Sequence, residues 1–129
     1  MKFAKNTFLL AGIYGLIVLL PHYFMEGKIG RDTPPAITHP EYFYGFVGLG
    51  VAWQVMFLLI ATNPARYRPA MLVGIIEKVS FGAAAIVLYL QGRLALQMLG
   101  AGMIDLLLGG LFAIAFLKTR SKLAADERG

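Results

Sequence analysis

The chain is predicted to be all-α, an integral membrane four-helix bundle with its N-terminus and C-terminus both cytoplasmic, and three observations carry that prediction. It is 58% hydrophobic and 15% charged, with a mean hydropathy of +0.68, whereas soluble domains hold about 45–50% apolar residues even with glycine counted. Four windows, about 8–25, 41–62, 70–90 and 96–117, meet the requirement of roughly 20 mostly apolar residues for a span. So little chain is left over that residues 1–129 are read as a single transmembrane domain. The third observation is where the cations fall. With the N-terminus inside, Lys2, Lys5, Arg66, Arg68, Lys118, Arg120, Lys122 and Arg128 are cytoplasmic, Lys28, Arg31 and Arg93 are outside, and Lys78 is intramembrane. That bias sets both termini inside. It also assigns the net charge of +5 to topology and lipid-headgroup attraction, not to nucleic acid.

The first window follows a basic start, as in a signal peptide, but Pro21, His22, Tyr23 and Phe24 stand where a small-residue cleavage site would be, so it reads as a retained helix. The connection 26–40 is the outer loop, and its glycines, Asp32 and paired Pro34 and Pro35 are expected to keep it irregular. At its end Thr38 and Glu41 have the spacing of a capping box for the second helix. Tyr42, Phe43 and Tyr44 then supply a headgroup-level aromatic belt. The turn "NPARYRP" stops one helix at Asn63-Pro64 and opens the next at Pro69. With "QGRLA" shorter still, the second, third and fourth helices are expected to pack as consecutive antiparallel neighbours. The tail "KTRSKLAADERG" is a short polar end.

The stretch "GIIEKVSFG" puts Glu77 and Lys78 inside the third span. A charge at a helix centre costs about 2.5–3.5 kcal/mol on insertion scales, while each large aliphatic residue returns only about 0.3–0.6. The helix therefore needs partners. Side chains adjacent in sequence leave a helix about 100° apart, so Glu77 and Lys78 are each expected to find a partner elsewhere. Lys78 shares a face with Gly74, Gly82 and Ala85, and the fourth helix has a matching face of Ala101, Gly102, Asp105 and Gly109. A hairpin turning near Gly92–Leu94 sets Gly82 opposite Asp105 and Lys78 about one turn away, within reach of a lysine stem. An intramembrane Lys78–Asp105 ion pair is the expectation, either as a structural pair that orients helices or as part of a site. Glu77 is less determined: it lies at the depth of Gln54 and Tyr14, either of which could hydrogen-bond its carboxyl. With Trp53 nearby, these residues form a candidate proton or ligand site.

The absence of cysteine excludes disulfides and thiol chemistry. His22 and His39 flank the outer loop without ligand spacing, so no metal is assigned. The glycine-rich stretches lack the context of phosphate loops. No cofactor is implied and no nucleophile–base set is present, so the default reading is non-enzymatic.

The segments "ITHPEYFYGFVGLGVAWQVMFLL", "NPARYRP", "GIIEKVSFG" and "GAGMIDLLLGGLF" give the chain a pattern that resembles small bacterial four-helix membrane proteins of the DoxX-like kind. The resemblance implies a multi-pass protein of the bacterial cytoplasmic (inner) membrane and carries over no catalytic residue. Three roles remain open. One is an accessory or scaffold protein whose partners are the lipid bilayer and a second copy or another membrane protein. Another is a site for a hydrophobic small molecule, a quinone or a lipid, around Tyr14, Trp53, Gln54 and Glu77. The last is a proton-coupled small transporter using Glu77. Small multidrug-resistance exporters carry an essential glutamate in helix one, and this first helix has no carboxylate.

Overall fold

In the computed structural model, which describes residues 2–120, every regular element is helical. Four helices are long and apolar enough to cross a membrane. They are α1 (Lys2–Leu19), extended by a 3₁₀ turn (Leu20–Phe24), then α3 (Pro40–Thr62), α4 (Arg68–Leu90) and α5 (Leu96–Lys118). A short helix, α2 (Glu26–Asp32), precedes α3. The last part of the polar tail, with Lys122 and Arg128, lies outside the described residues.

The limits of these elements follow from local chemistry. Helix α1 begins six residues before the apolar window because Lys2, Lys5 and Asn6 are compatible with a helix wherever its surface meets water. It gives way to the 3₁₀ turn where Pro21 removes a backbone donor. The connection expected to be irregular instead holds α2, in which Lys28 and Asp32 pair one turn apart and the Lys28 hydrogen bond holds the Asp32 carboxyl below its ordinary value. Glycines at 27 and 30 weaken so short a helix without abolishing it, and Tyr44 donates a 3.0 Å hydrogen bond from α3 to Glu26 Oε1. The capping box does not form. Pro40 takes the first helical position, which makes His39 the cap residue, and Glu41 bonds the His39 ring at 3.2 Å. At the other end of α4, Gly92 adopts φ 72° and Arg93 N donates to Leu88 O at 2.8 Å, a glycine-terminated helix end.

The helices alternate in direction but pack as two close pairs, α1 on α3 and α4 on α5, while α3 and α4 touch little. This differs from the expectation that the second, third and fourth long helices pack as consecutive antiparallel neighbours, since α3 lies on α1 and not on α4. The turn at 63–67 ties α3 to α4 at one end only, and close approach needs small residues, which lie elsewhere. In the first pair a Cβ at Gly12 would stand 2.9 Å from the Gln54 carbonyl oxygen, and one at Gly50 would stand 2.8 Å from Leu19 Cδ1. In the second, a Cβ at Gly82 would stand 3.0 Å from the Gly102 carbonyl oxygen and one at Gly109 would stand 3.3 Å from Lys78 Cβ.

The two pairs meet in two storeys. Toward the start of α1 and the end of α5, Phe8, Phe57 and Phe112 fill the centre with no exposure, Phe8 stacking on Phe112 at 4.2 Å and Phe57 meeting it edge-on at 4.9 Å between ring centroids. Ile60 and Met71 complete this dry core. The other storey encloses a cavity and carries Gln54, Glu77, Lys78 and Asp105 among its walls.

Candidate functional site

Helix α4 sets the site by placing Lys78 on its small-residue face and Glu77 beside it. Lys78 is 3% exposed, its stem lying against Gly109 and its ammonium 5.2 Å from the Phe57 ring centroid, on the roof of the aromatic core. Its Nζ stands 3.5 Å from Asp105 Oδ1 and also 3.5 Å from Glu77 Oε2. Glu77 is therefore not partnered elsewhere, as the divergence of adjacent side chains suggests. The divergence applies at Cβ, and the four-carbon lysine stem returns the ammonium to a point between both carboxyls.

Gln54 and Tyr14 do not reach the Glu77 carboxyl with a hydrogen bond among the described residues, contrary to expectation. Gln54 is 1% exposed, and its Nε2 donates back to Gly50 O at 3.0 Å. The cause is the gap between α3 and α4. A two-methylene stem does not cross it, whereas the carbonyl four residues back is always in range. That bond also fixes which end of the amide is oxygen, and the oxygen, Oε1, is buried without a partner. A Cβ on Gly15 would collide with it, so only glycine there leaves room for the buried amide. Glu77 Oε2 likewise makes an ion-pair contact but no hydrogen bond.

These groups surround an internal cavity of about 170 Å³, walled by Tyr14, Gln54, Glu77, Lys78 and Asp105, with the half-buried His22 at its far end. A second, larger space of about 440 Å³ lies in the gap between α3 and α4, where Trp53 and Ser80 line it. Its walls include Leu49, Val73 and Ile76, all substantially exposed, so it opens on the outside of the bundle. Phe46, Gly50, Glu77 and Phe81 border both spaces, and the Phe46 and Phe81 rings lie 6.3 Å apart across the boundary. Of the residues singled out from sequence, Tyr14, Gln54, Glu77, Lys78 and Asp105 share the internal cavity; Trp53 is on the outer cleft alone.

No family model, curated protein or solved structure matches the chain. The site must be read from its own geometry.

Two of its residues escaped the sequence reading. Phe46 precedes Gly50 and Gln54 at successive steps of four, and Phe81 follows Glu77 by four, so both lie on faces that already carried a polar candidate. His22, which flanks the outer loop in the sequence, lies on the 3₁₀ turn and lines the cavity, its Nδ1 donating to Val18 O at 2.8 Å. Among the described residues no group of His, Cys, Asp or Glu is arranged to hold a metal.

Proposed function

We propose that this chain is a multi-pass protein of a bacterial cytoplasmic membrane, with both termini inside, and that it binds a hydrophobic small molecule in the space between its two helix pairs. The orientation draws on the Lys and Arg bias and the membrane on the resemblance noted from sequence. The observation that carries the binding role is the junction of an apolar cleft, open to the outside of the bundle, with an inner cavity whose wall includes the charged side chains Glu77, Lys78 and Asp105 and two residues, Gln54 and Glu77, that each carry a buried acceptor with no hydrogen-bond partner. Buried acceptors cost about 1–3 kcal/mol each when unmet. A molecule with a polar head and an apolar tail satisfies both compartments, and their sizes suit a small ligand better than a sealed core.

The accessory or scaffold role would rest on glycine-rich faces, of which Gly12, Gly15, Gly82 and Gly102 pack inside the bundle against Leu58, Gln54, Leu106 and Ala85, while Gly45, Gly100 and Gly110 face open space. A proton-coupled transporter would use the same carboxyl, Glu77.

Trp53, the one tryptophan in the chain, lines the cleft and reports its occupancy. Titration of the protein in lipid nanodiscs with dodecanol and related amphiphiles should give a saturable change in tryptophan emission. Val73→Phe, a substitution at a half-exposed cleft position, should abolish it by filling the space. A linear, non-saturating response that is the same in Val73→Phe means partition into lipid and rejects the site.

A further inference from the structure

The class of ligand follows from a count of charges and hydrogen-bond roles, given the binding site proposed above. Two carboxyls, Glu77 and Asp105, face one ammonium, Lys78, at equal distances of 3.5 Å. With both carboxyls ionised, one negative charge is left over among side chains that are only 4% (Lys78), 25% (Glu77) and 18% (Asp105) exposed, and a charge so far removed from solvent is disfavoured. Every other group that faces it fails to compensate. Helix α1 presents the neutral Tyr14, α3 presents the neutral amide of Gln54, and the 3₁₀ turn presents His22 at the far end of the cavity. Ser80, on the cleft side of α4, spends its hydroxyl on the Glu77 backbone carbonyl at 3.0 Å. The leftover charge is therefore neutralised by a mobile cation, either a proton or the head of a ligand.

The unmet hydrogen bonds choose between heads. Gln54 Oε1 and Glu77 Oε2 are both acceptors, and the amide cannot be turned round to offer a donor, because its Nε2 is fixed to Gly50 O. A carbonyl or ether head would add a further acceptor. A quaternary ammonium brings charge but no N–H. A primary ammonium brings both charge and three donors. The cavity of about 170 Å³ is many times the roughly 10–15 Å³ a single water requires, and its opening past Phe46 and Phe81 leads to an apolar cleft that suits an alkyl tail.

We infer that the site takes the ammonium head of a lipophilic primary amine in exchange for one proton. An R–NH₃⁺ enters from the cleft, and one H⁺ leaves the Glu77/Asp105 pair for water, so the charge of the cavity is unchanged. A free alkylamine and the ethanolamine headgroup of a lipid share this chemistry.

The test uses the full-length protein in phosphatidylcholine nanodiscs. Trp53 emission is titrated with dodecylammonium, dodecyltrimethylammonium and dodecanol between about pH 6 and pH 8, a range in which the alkylamine itself stays charged. Calorimetry in two buffers of different ionisation enthalpy counts protons released. The expected result is saturable binding of dodecylammonium with about one proton released, an affinity that rises up to tenfold per pH unit, and at least tenfold weaker binding of the other two probes. Glu77→Gln should lose the proton release and at least tenfold in affinity. The wild-type proton count decides the matter even where that variant does not fold. Equal binding of dodecanol, or amine binding without proton release, overturns the exchange while leaving the ligand site intact. Saturable binding of none of the three overturns the site as well. Competition from phosphatidylethanolamine added to the discs identifies a lipid headgroup as the source of the amine; its absence identifies a free amine, and both results are consistent with the exchange.

Discussion

Replacing Gly15 with alanine tests whether the storey that holds the cavity depends on the close approach of α1 to α3. The new Cβ would land on Gln54 Oε1 and crowd Cδ and Cγ of the same side chain, and Gln54 has nowhere to retreat, being 1% exposed with its Nε2 bonded to Gly50 O at 3.0 Å. Either the helices separate or the amide leaves its bond. Overpacking a well-filled site costs about 1–3 kcal/mol, and a buried amide that loses its partner costs about 1–3 more. Against this, alanine gains about 1 kcal/mol over glycine in helix propensity. The net expectation is a destabilisation of about 1–5 kcal/mol, centred near 3, from the addition of one methyl group. Gly45→Ala is the internal control, since a Cβ there would meet nothing within 4 Å, and it should be neutral or stabilising by up to about 1 kcal/mol. Reversible unfolding in mixed micelles, followed by helical circular dichroism, compares them directly. In the double variant Gly15→Ala/Gln54→Ala the clash has no target, so the two effects should fall short of additivity by at least about 1 kcal/mol. Indistinguishable unfolding of Gly15→Ala and Gly45→Ala refutes the reasoning.

Three further outcomes follow from the same structure. Lys78→Met and Asp105→Asn should couple: the single losses should exceed or fall short of the double-variant loss by about 0.5–3 kcal/mol in the unfolding assay, and strict additivity would mean the charges do not interact. Lys78→Met alone should be the more damaging, because it leaves two carboxyls facing each other without the cation 3.5 Å from each. Phe112→Ala, at the centre of the aromatic stack, should cost about 3–5 kcal/mol in stability.

Much of the architecture was legible because hydropathy does not depend on tertiary detail. The four spans could be read from apolar run length alone, and the register of the α4–α5 hairpin, fixed by a short turn at Gly92, was enough to relate Lys78 to Asp105. Interactions that depend on how far apart two helices stand could not be read this way. The sequence gives no measure of the gap between α3 and α4, so a glutamine at the depth of Glu77 looks like its partner when the distance is too great for its stem. Local competition was the other source of error. At the start of α3, Pro40 displaced the cap from Thr38 to His39, and in the outer loop the Lys28–Asp32 pair formed a helix where two glycines suggested none.

The hollow storey is a consequence of how the helices are paired, and this connects the fold to the site. Glycine faces draw α1 to α3 and α4 to α5, and the aromatic stack of Phe8, Phe57 and Phe112 fixes how closely the two pairs approach at one end. Beyond that stack, the residues facing inward include a lysine, two carboxylic acids and an amide, which do not close the space between the pairs as the stacked rings do. Buried charges are tolerated in such an interior only when they are mutually satisfied, and here they are not: the acids outnumber the base and the amide oxygen has no donor. A bundle selected for stability alone would have closed that space with apolar side chains, as it does one to two turns away at Phe57 and Met71. The unfilled volume and the unmatched charge occur together, on a stretch of the bundle where a cleft leads in from outside, which is the arrangement expected of a site that is completed by a ligand.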